Sequence, residues 1–184
     1  MRKFLVVFAV SLFFCALLFL LVFPTFILTK DSFRLDASVR LHLTKLASAA
    51  IVKNDVPVAS ILYYQNRMIG EGFNTVCADT NVSGHAEVNA VNNAVKSMGW
   101  NAFNSLNRDS MLLLTTFQPC LMCRGMLSAI GLKHVRILQA KSLRFLFREW
   151  IHDQQLQYHY AFTNDTLQDS LFNAFPGSNG HVAY

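Results

Sequence analysis

Residues 111–131 read MLLLTTFQPCLMCRGMLSAIG. The apolar run from Met111 to Thr115 has the character of a buried strand, and Pro119 to Ile130 that of a helix stopped at Gly131. Working outward, Val135 to Ala140 is a further strand. Upstream, Val88, Val91, Val95 and Met98 mark one face of a helix that ends at Gly99. Residues 100–109 are polar and loop-like. Before the loop Asn74 to Gly84, Val56 to Tyr64 and Met68 to Phe73 form two strands joined by the turn Gln65-Asn66-Arg67. Val39, Leu43, Leu46, Ala47, Ala50 and Ile51 fall at helical spacing between Asp31 and Lys53, with Asp31 or Ser32 able to cap the start. Beyond Lys141 the pattern is helical, with Phe145, Phe147 and Trp150 apolar, and a short terminal helix is expected over Thr166 to Phe175. The order helix, strand, strand, helix, strand, helix, strand describes an α/β layered domain with a mixed sheet.

The chain has 184 residues, is 53% hydrophobic and 15% charged, and carries a formal charge of +5. Its mean hydropathy is +0.31. Eight Gly, four Pro and four Cys exclude collagen-like, disordered and disulfide-scaffold compositions. The apolar residues are concentrated at the start, where Phe4 to Leu28 carries no charge. As a helix that run would be about 37 Å long, against a hydrocarbon core of about 30 Å. It is longer than a signal-peptide core and lacks a small-residue cleavage site at its exit, Pro24-Thr25-Phe26-Ile27-Leu28. The expectation is therefore a single-pass membrane anchor in residues 1–29, spanning through residues 4–28, followed by one domain in residues 30–184. Basic residues nearly balance across the span, with a lean toward a non-cytoplasmic domain. Without the anchor, 14 Lys+Arg face 11 Asp+Glu.

The chemistry lies in His85-Ala86-Glu87 and in Pro119-Cys120-Leu121-Met122-Cys123, each opening an expected helix. One His and two thiolates are a three-ligand set for zinc that leaves the fourth position free, as catalytic sites require. Cys-x-x-Cys at a helix N-terminus lets both sulfurs face one ion, and the helix dipole favours their ionised forms. Glu87, two residues past the His, can sit beside the ion without ligating it and take a proton from an attacking water. Two other arrangements use the same residues. Cys-x-x-Cys after a strand also suits a thiol redox site, and Cys77 could close the tetrahedron of a structural zinc. A catalytically idle relative used for interaction is a third possibility. The remaining histidines show no ligand spacing.

His-x-Glu followed by Pro-Cys-x-x-Cys is the signature of zinc nucleobase deaminases. From about Asp55 to Ala140 the chain resembles the cytidine-deaminase-like superfamily, in its branch of tRNA adenosine deaminases and guanine deaminases. Val56-Pro57-Val58, Ile69-Gly70-Glu71-Gly72-Phe73-Asn74, the eleven residues from Asn74 to His85, and Cys120-Leu121-Met122-Cys123 with Gly125 carry the likeness. The resemblance implies a three-layer α/β/α domain with a mixed sheet, here preceded by one transmembrane helix. It implies one Zn²⁺ per chain on His85, Cys120 and Cys123, proton transfer by Glu87, base contacts from Asn74 and the backbone of Ala86, and a homodimer. The reaction it implies is hydrolytic replacement of an exocyclic amine by a carbonyl, with release of ammonia.

Three departures stand out. Gln118 occupies a position where the family usually has Glu. Asn81-Val82-Ser83-Gly84 differs from the usual segment before the His. His85 and Cys120 lie 35 residues apart, a few more than is common, with the extra length assigned to Trp100–Arg108. A tRNA substrate requires a basic surface beyond the pocket, for which Lys133, Arg136, Lys141, Arg144 and Arg148 are candidates. With an anchor present, a small purine base or nucleoside is the favoured substrate and tRNA the alternative.

Overall fold

The computed structural model describes residues 2–22 and 34–157. The helix expected over Thr166 to Phe175 lies outside them. Two compact units are present, Met1–Leu35 and Asp36–Tyr184. The first contains helix α1 (Arg2–Val22). Among the described residues no helix is long and apolar enough to cross a membrane, which corrects the expected anchor over residues 4–28. Helix α1 as described covers 21 residues and includes the charged Arg2 and Lys3. The single-pass placement, the lean to a non-cytoplasmic domain and the membrane as a partner fall with the span.

The second unit runs α2 (Ala37–Val52), β1 (Ala59–Tyr64), β2 (Arg67–Phe73), α3 (Ala86–Met98), α4 (Trp100–Asn104), β3 (Met111–Phe117), α5 (Leu121–Ala129), β4 (Val135–Gln139) and α6 (Leu143–Gln157). The sheet is mixed, in the order β2-β1-β3-β4. β1 pairs antiparallel with both β2 and β3, and β3 pairs parallel with β4. The hairpin turn is Gln65-Asn66, both at positive φ, the handedness that matches the twist of two strands joined by two residues. Helix α2 is capped by Asp36, whose carboxylate accepts from the Ser38 N–H at 2.8 Å, so the helix begins later than expected.

Helices cover both faces of the sheet, and β2 shows why. Successive side chains of a strand point to opposite faces. Gly70 and Gly72 face α3 so closely that an added Cβ would lie 2.3 Å from the Ala90 carbonyl oxygen or 2.6 Å from the Ala90 nitrogen. Glu71, between them, faces α2, where its carboxylate meets His42 Nε2 at 2.5 Å. The glycines let backbone pack on backbone, so the buried side of α3 is lined by Ala86, Ala90, Val91 and Ala94. The expected valine face is only partly correct: Val88, Val95 and Met98 are half-buried at its flank.

The core joins Leu62 of β1, Met111 and Leu113 of β3, Ala90, Val91 and Ala94 of α3, Leu127 of α5 and Phe103. Phe103 belongs to α4, a short helix in a segment expected to be a polar loop, and it is fully buried. Gly99 makes this possible: at φ 84° it ends α3 and starts α4, a conformation costly for any residue with a Cβ. Arg108 then stacks on the Phe103 ring and donates to the Phe103 and Ile130 carbonyls at 2.8 Å each. The extra length between His85 and Cys120 is thus packed structure that buttresses the end of α5.

Candidate metal centre and active site

Two helix N-termini meet here. His85 is the N-cap of α3, Cys120 is the N-cap of α5, and Cys123 lies in the first turn of α5. Neither cap position uses its side chain for a cap hydrogen bond, which leaves both side chains free for other work. His85 Nδ1, Cys120 Sγ and Cys123 Sγ stand 3.5 Å from one another in all three pairings. A tetrahedral zinc with Zn–S of about 2.3 Å and Zn–N of about 2.0–2.1 Å spaces such donors about 3.6–3.8 Å apart. The donor triangle therefore fits one Zn²⁺ to within a few tenths of an ångström. Both cysteines are free thiols, well beyond the ~2.05 Å of a disulfide.

Among the described residues these are the one group of His, Cys, Asp or Glu able to hold a metal ion. Cys77 is exposed and outside it, so a tetrahedron closed by Cys77 is not formed. Glu87 is buried on the first turn of α3 with Oε2 3.5 Å from Cys123 Sγ, beside the triangle but not part of it. Burial pushes its carboxyl pKa up, which favours a group that can hold a proton. The hydrogen bond between the two sulfurs holds the Cys120 pKa down at about 5 and pushes the Cys123 thiol up, so the two titrate as a coupled pair.

The loop from Asn74 to His85 is closed at its neck, where Thr75 N–H donates to the Gly84 carbonyl at 2.7 Å. This explains the eleven-residue spacing: closing the loop sets Asn74 against the start of α3. Asn74 is buried, and its Oδ1 accepts from the Ala86 N–H at 2.9 Å. Ala86 is fully buried, and with its N–H engaged it has no backbone donor left for a base. The structure places Asn74 and Ala86, the two base-contacting residues implied by the family resemblance, next to each other at the start of α3.

Other contributors were not anticipated. Asn89, one turn after His85, donates from Nδ2 to the Phe73 carbonyl at 2.8 Å and to Thr75 Oγ1 at 3.0 Å, tying the loop neck to α3. Asp55 accepts from the Cys77 and Ala78 N–H groups at 2.9 and 3.1 Å, and these bonds lower its pKa. The hint for Asn89 was a short polar side chain four residues past a helix start. For Asp55 nothing local marked its loop partners 22 and 23 residues away. Gln118 is buried and accepts from the Lys141 N–H at 2.9 Å. Lys141 is itself buried, paired with Glu149 of α6 at 2.5 Å. It is no part of an exposed basic surface, because its ammonium is already enclosed and neutralised. Lys133 pairs with Asp109 at 3.3 Å at the surface.

Residues 35–139 match the family model of the cytidine and deoxycytidylate deaminase zinc-binding region. A tRNA-specific adenosine deaminase 2 from Xenopus laevis is 31% identical over 84 residues, 45% of this chain and 48% of that protein. A tRNA-specific adenosine deaminase from Buchnera aphidicola is 32% identical over 81 residues, 44% of this chain and 50% of that protein. The chain thus spans about half the length of the curated relatives it matches. In fold it is similar to guanine deaminase from Bacillus subtilis, with a TM-score of 0.56 at 22% identity, covering 82% of this chain and all of the other. The family match takes in more than half the chain and all three donor residues. The chain belongs to the cytidine and deoxycytidylate deaminase zinc-binding family, zinc-dependent hydrolases of C–N bonds built on a mixed-sheet α/β fold.

Proposed function

We propose that the chain hydrolyses the exocyclic amine of an adenine base carried in tRNA, giving a carbonyl and free ammonia, with the domain formed by residues 30–184. The observation that carries the reaction class is the convergence of His85, Cys120 and Cys123 on one point, with Glu87 beside it. Those three residues hold the zinc. When bound, zinc polarises a water and brings its pKa near neutrality. Glu87, buried and prone to hold a proton, takes a proton from the attacking water and delivers it to the departing amine. One water is consumed and one ammonia leaves, so Glu87 ends as it began. Asn74 Nδ2 donates to the base, with Oδ1 fixed by Ala86 N–H. Ala86, fully buried between them, sets the spacing of His85 and Glu87.

The substrate assignment is supported by relatives near 30% identity that are tRNA-specific adenosine deaminases. It replaces the small-purine preference, which leaned on a membrane anchor. A free purine base or nucleoside is the second reading. It is favoured by the loss of Lys141 from the basic surface and by the pairing of Lys133 with Asp109. Ammonia release by the zinc-loaded chain from tRNA, free adenine, guanine and their nucleosides separates the two. Release from tRNA alone supports the first reading, and release from free bases or nucleosides alone supports the second. By family likeness we expect a homodimer, which sedimentation tests.

A further inference from the structure

The side chain of Lys141 is only 4% exposed. Its Nζ lies 2.5 Å from Glu149 Oε1 on α6 and 3.4 Å from the carbonyl oxygen of Pro119. Its backbone N–H donates to Gln118 Oε1 at 2.9 Å. The ammonium also sits 5.1 Å from the centroid of the Phe145 ring. Taking both charges of such a pair out of water costs about as much as their attraction returns. The second carboxylate oxygen, Glu149 Oε2, is buried with no hydrogen-bond partner among the described residues, which adds to that cost. A pair of this kind contributes little stability, so its effect lies in the geometry it enforces. Gln118 and Pro119 are both gripped by Lys141, one through its backbone and the other through its ammonium. The next residue is Cys120, the N-cap of α5.

We infer that Lys141 is a positioning residue for the metal centre: anchored by Glu149 on α6, it clamps the Gln118–Pro119 turn and thereby sets Cys120 Sγ within 3.5 Å of His85 and Cys123. The inference rests on the reading of those three side chains as zinc ligands. It makes α6 part of the support of the centre, through Glu149 rather than through a metal ligand. Partners that orient metal ligands from outside typically change metal affinity about 10- to 100-fold when lost. Lys141 acts one peptide further out, so the low end of that range is expected.

The experiment uses the full chain as wild type, as Lys141→Met and as the double variant Lys141→Met with Glu149→Leu. The double variant removes the buried charge pair entirely, so it retains the fold if the single variant does not. Zn²⁺ affinity is read by competition with a chelator, the cobalt-substituted spectrum reports thiolate geometry, and thermal unfolding is followed without metal. The expected result is about 10-fold weaker Zn²⁺ binding and an altered thiolate-to-cobalt absorption in the double variant, with metal-free Tm near that of wild type. Unchanged affinity and spectrum, with wild type binding one metal per chain, would overturn the clamp and leave the zinc centre standing. A wild-type chain that takes up no stoichiometric zinc or cobalt would overturn the reading beneath it.

Discussion

Replacing Gly72 with Ala tests how the fold delivers His85 and Glu87 to the centre. A Cβ there would stand 2.6 Å from Ala90 N, 2.7 Å from Ala86 O and 2.7 Å from Asn89 Cβ, where ordinary contact begins at 3.4 Å. Two of these atoms are helix backbone, which no rotamer change relieves, so α3 must retreat from the sheet by about 0.8 Å. Overpacking of this kind costs about 1–3 kcal/mol. At about 2–4 °C per kcal/mol for a domain of this size, Tm falls by roughly 2–12 °C. The functional effect is larger, because Ala86 lies between His85 and Glu87 and moves with both. A misplacement near 1 Å can cost about 100-fold in rate. Gly125→Ala is the control: it lies on α5 with nothing within 4 Å of an added Cβ. There Ala should stabilise by about 0.5–1 kcal/mol. Thermal unfolding by circular dichroism and kcat/KM for ammonia release measure both. A Gly72→Ala chain with the Tm and kcat/KM of wild type would refute the backbone-on-backbone account of how α3 is held.

Glu87→Gln should keep one zinc per chain, by metal analysis, and lower kcat by about 10²–10⁴-fold, the usual worth of general acid–base transfer. Asp55→Asn addresses acid stability. The Asp55 carboxyl has its pKa lowered by bonds from the Cys77 and Ala78 N–H groups, so its stabilisation is present above the ordinary carboxylate pKa and lost as pH falls through the lowered value. The variant should show a flatter fall of Tm with acid, and an identical acid limb would contradict that role. In metal-free protein at pH 6, iodoacetamide should label Cys120, held at about 5, because an ordinary thiol near 8.5 is almost wholly protonated there. Added Zn²⁺ should block the labelling, read by mass spectrometry.

Much of this site is legible in the sequence because its logic is local. His85 and Glu87 share one helical turn, Cys120 and Cys123 another, and each helix announces itself by apolar spacing or a glycine stop. The succession of helices and strands followed from the same runs, whereas the strand order β2-β1-β3-β4 is set by pairings distant in sequence. What was hidden depended on partners far along the chain. Lys141 reads as a surface cation until Glu149 is brought over it. Phe103 sits among polar neighbours, yet Gly99 turns it into the core. Where α3 meets Gly70 and Gly72 its buried residues are Ala86, Ala90 and Ala94, because helix backbone lies directly on strand backbone there. Hydropathy counted the apolar residues of the N-terminus, yet among the described residues no helix is long and apolar enough to cross a membrane.

The central claim is that His85, Cys120 and Cys123 hold a zinc at which Glu87 drives hydrolytic deamination. The most direct measurement is ammonia and inosine formation by the purified full chain, zinc-loaded and at one zinc per chain, with tRNA as substrate and Glu87→Gln in parallel. Wild type should form inosine and ammonia in equal amounts, and the variant should be slower by about 10²–10⁴-fold. A zinc-loaded chain that releases no ammonia from tRNA, free bases or nucleosides, or a Glu87→Gln chain as active as wild type, would contradict that claim.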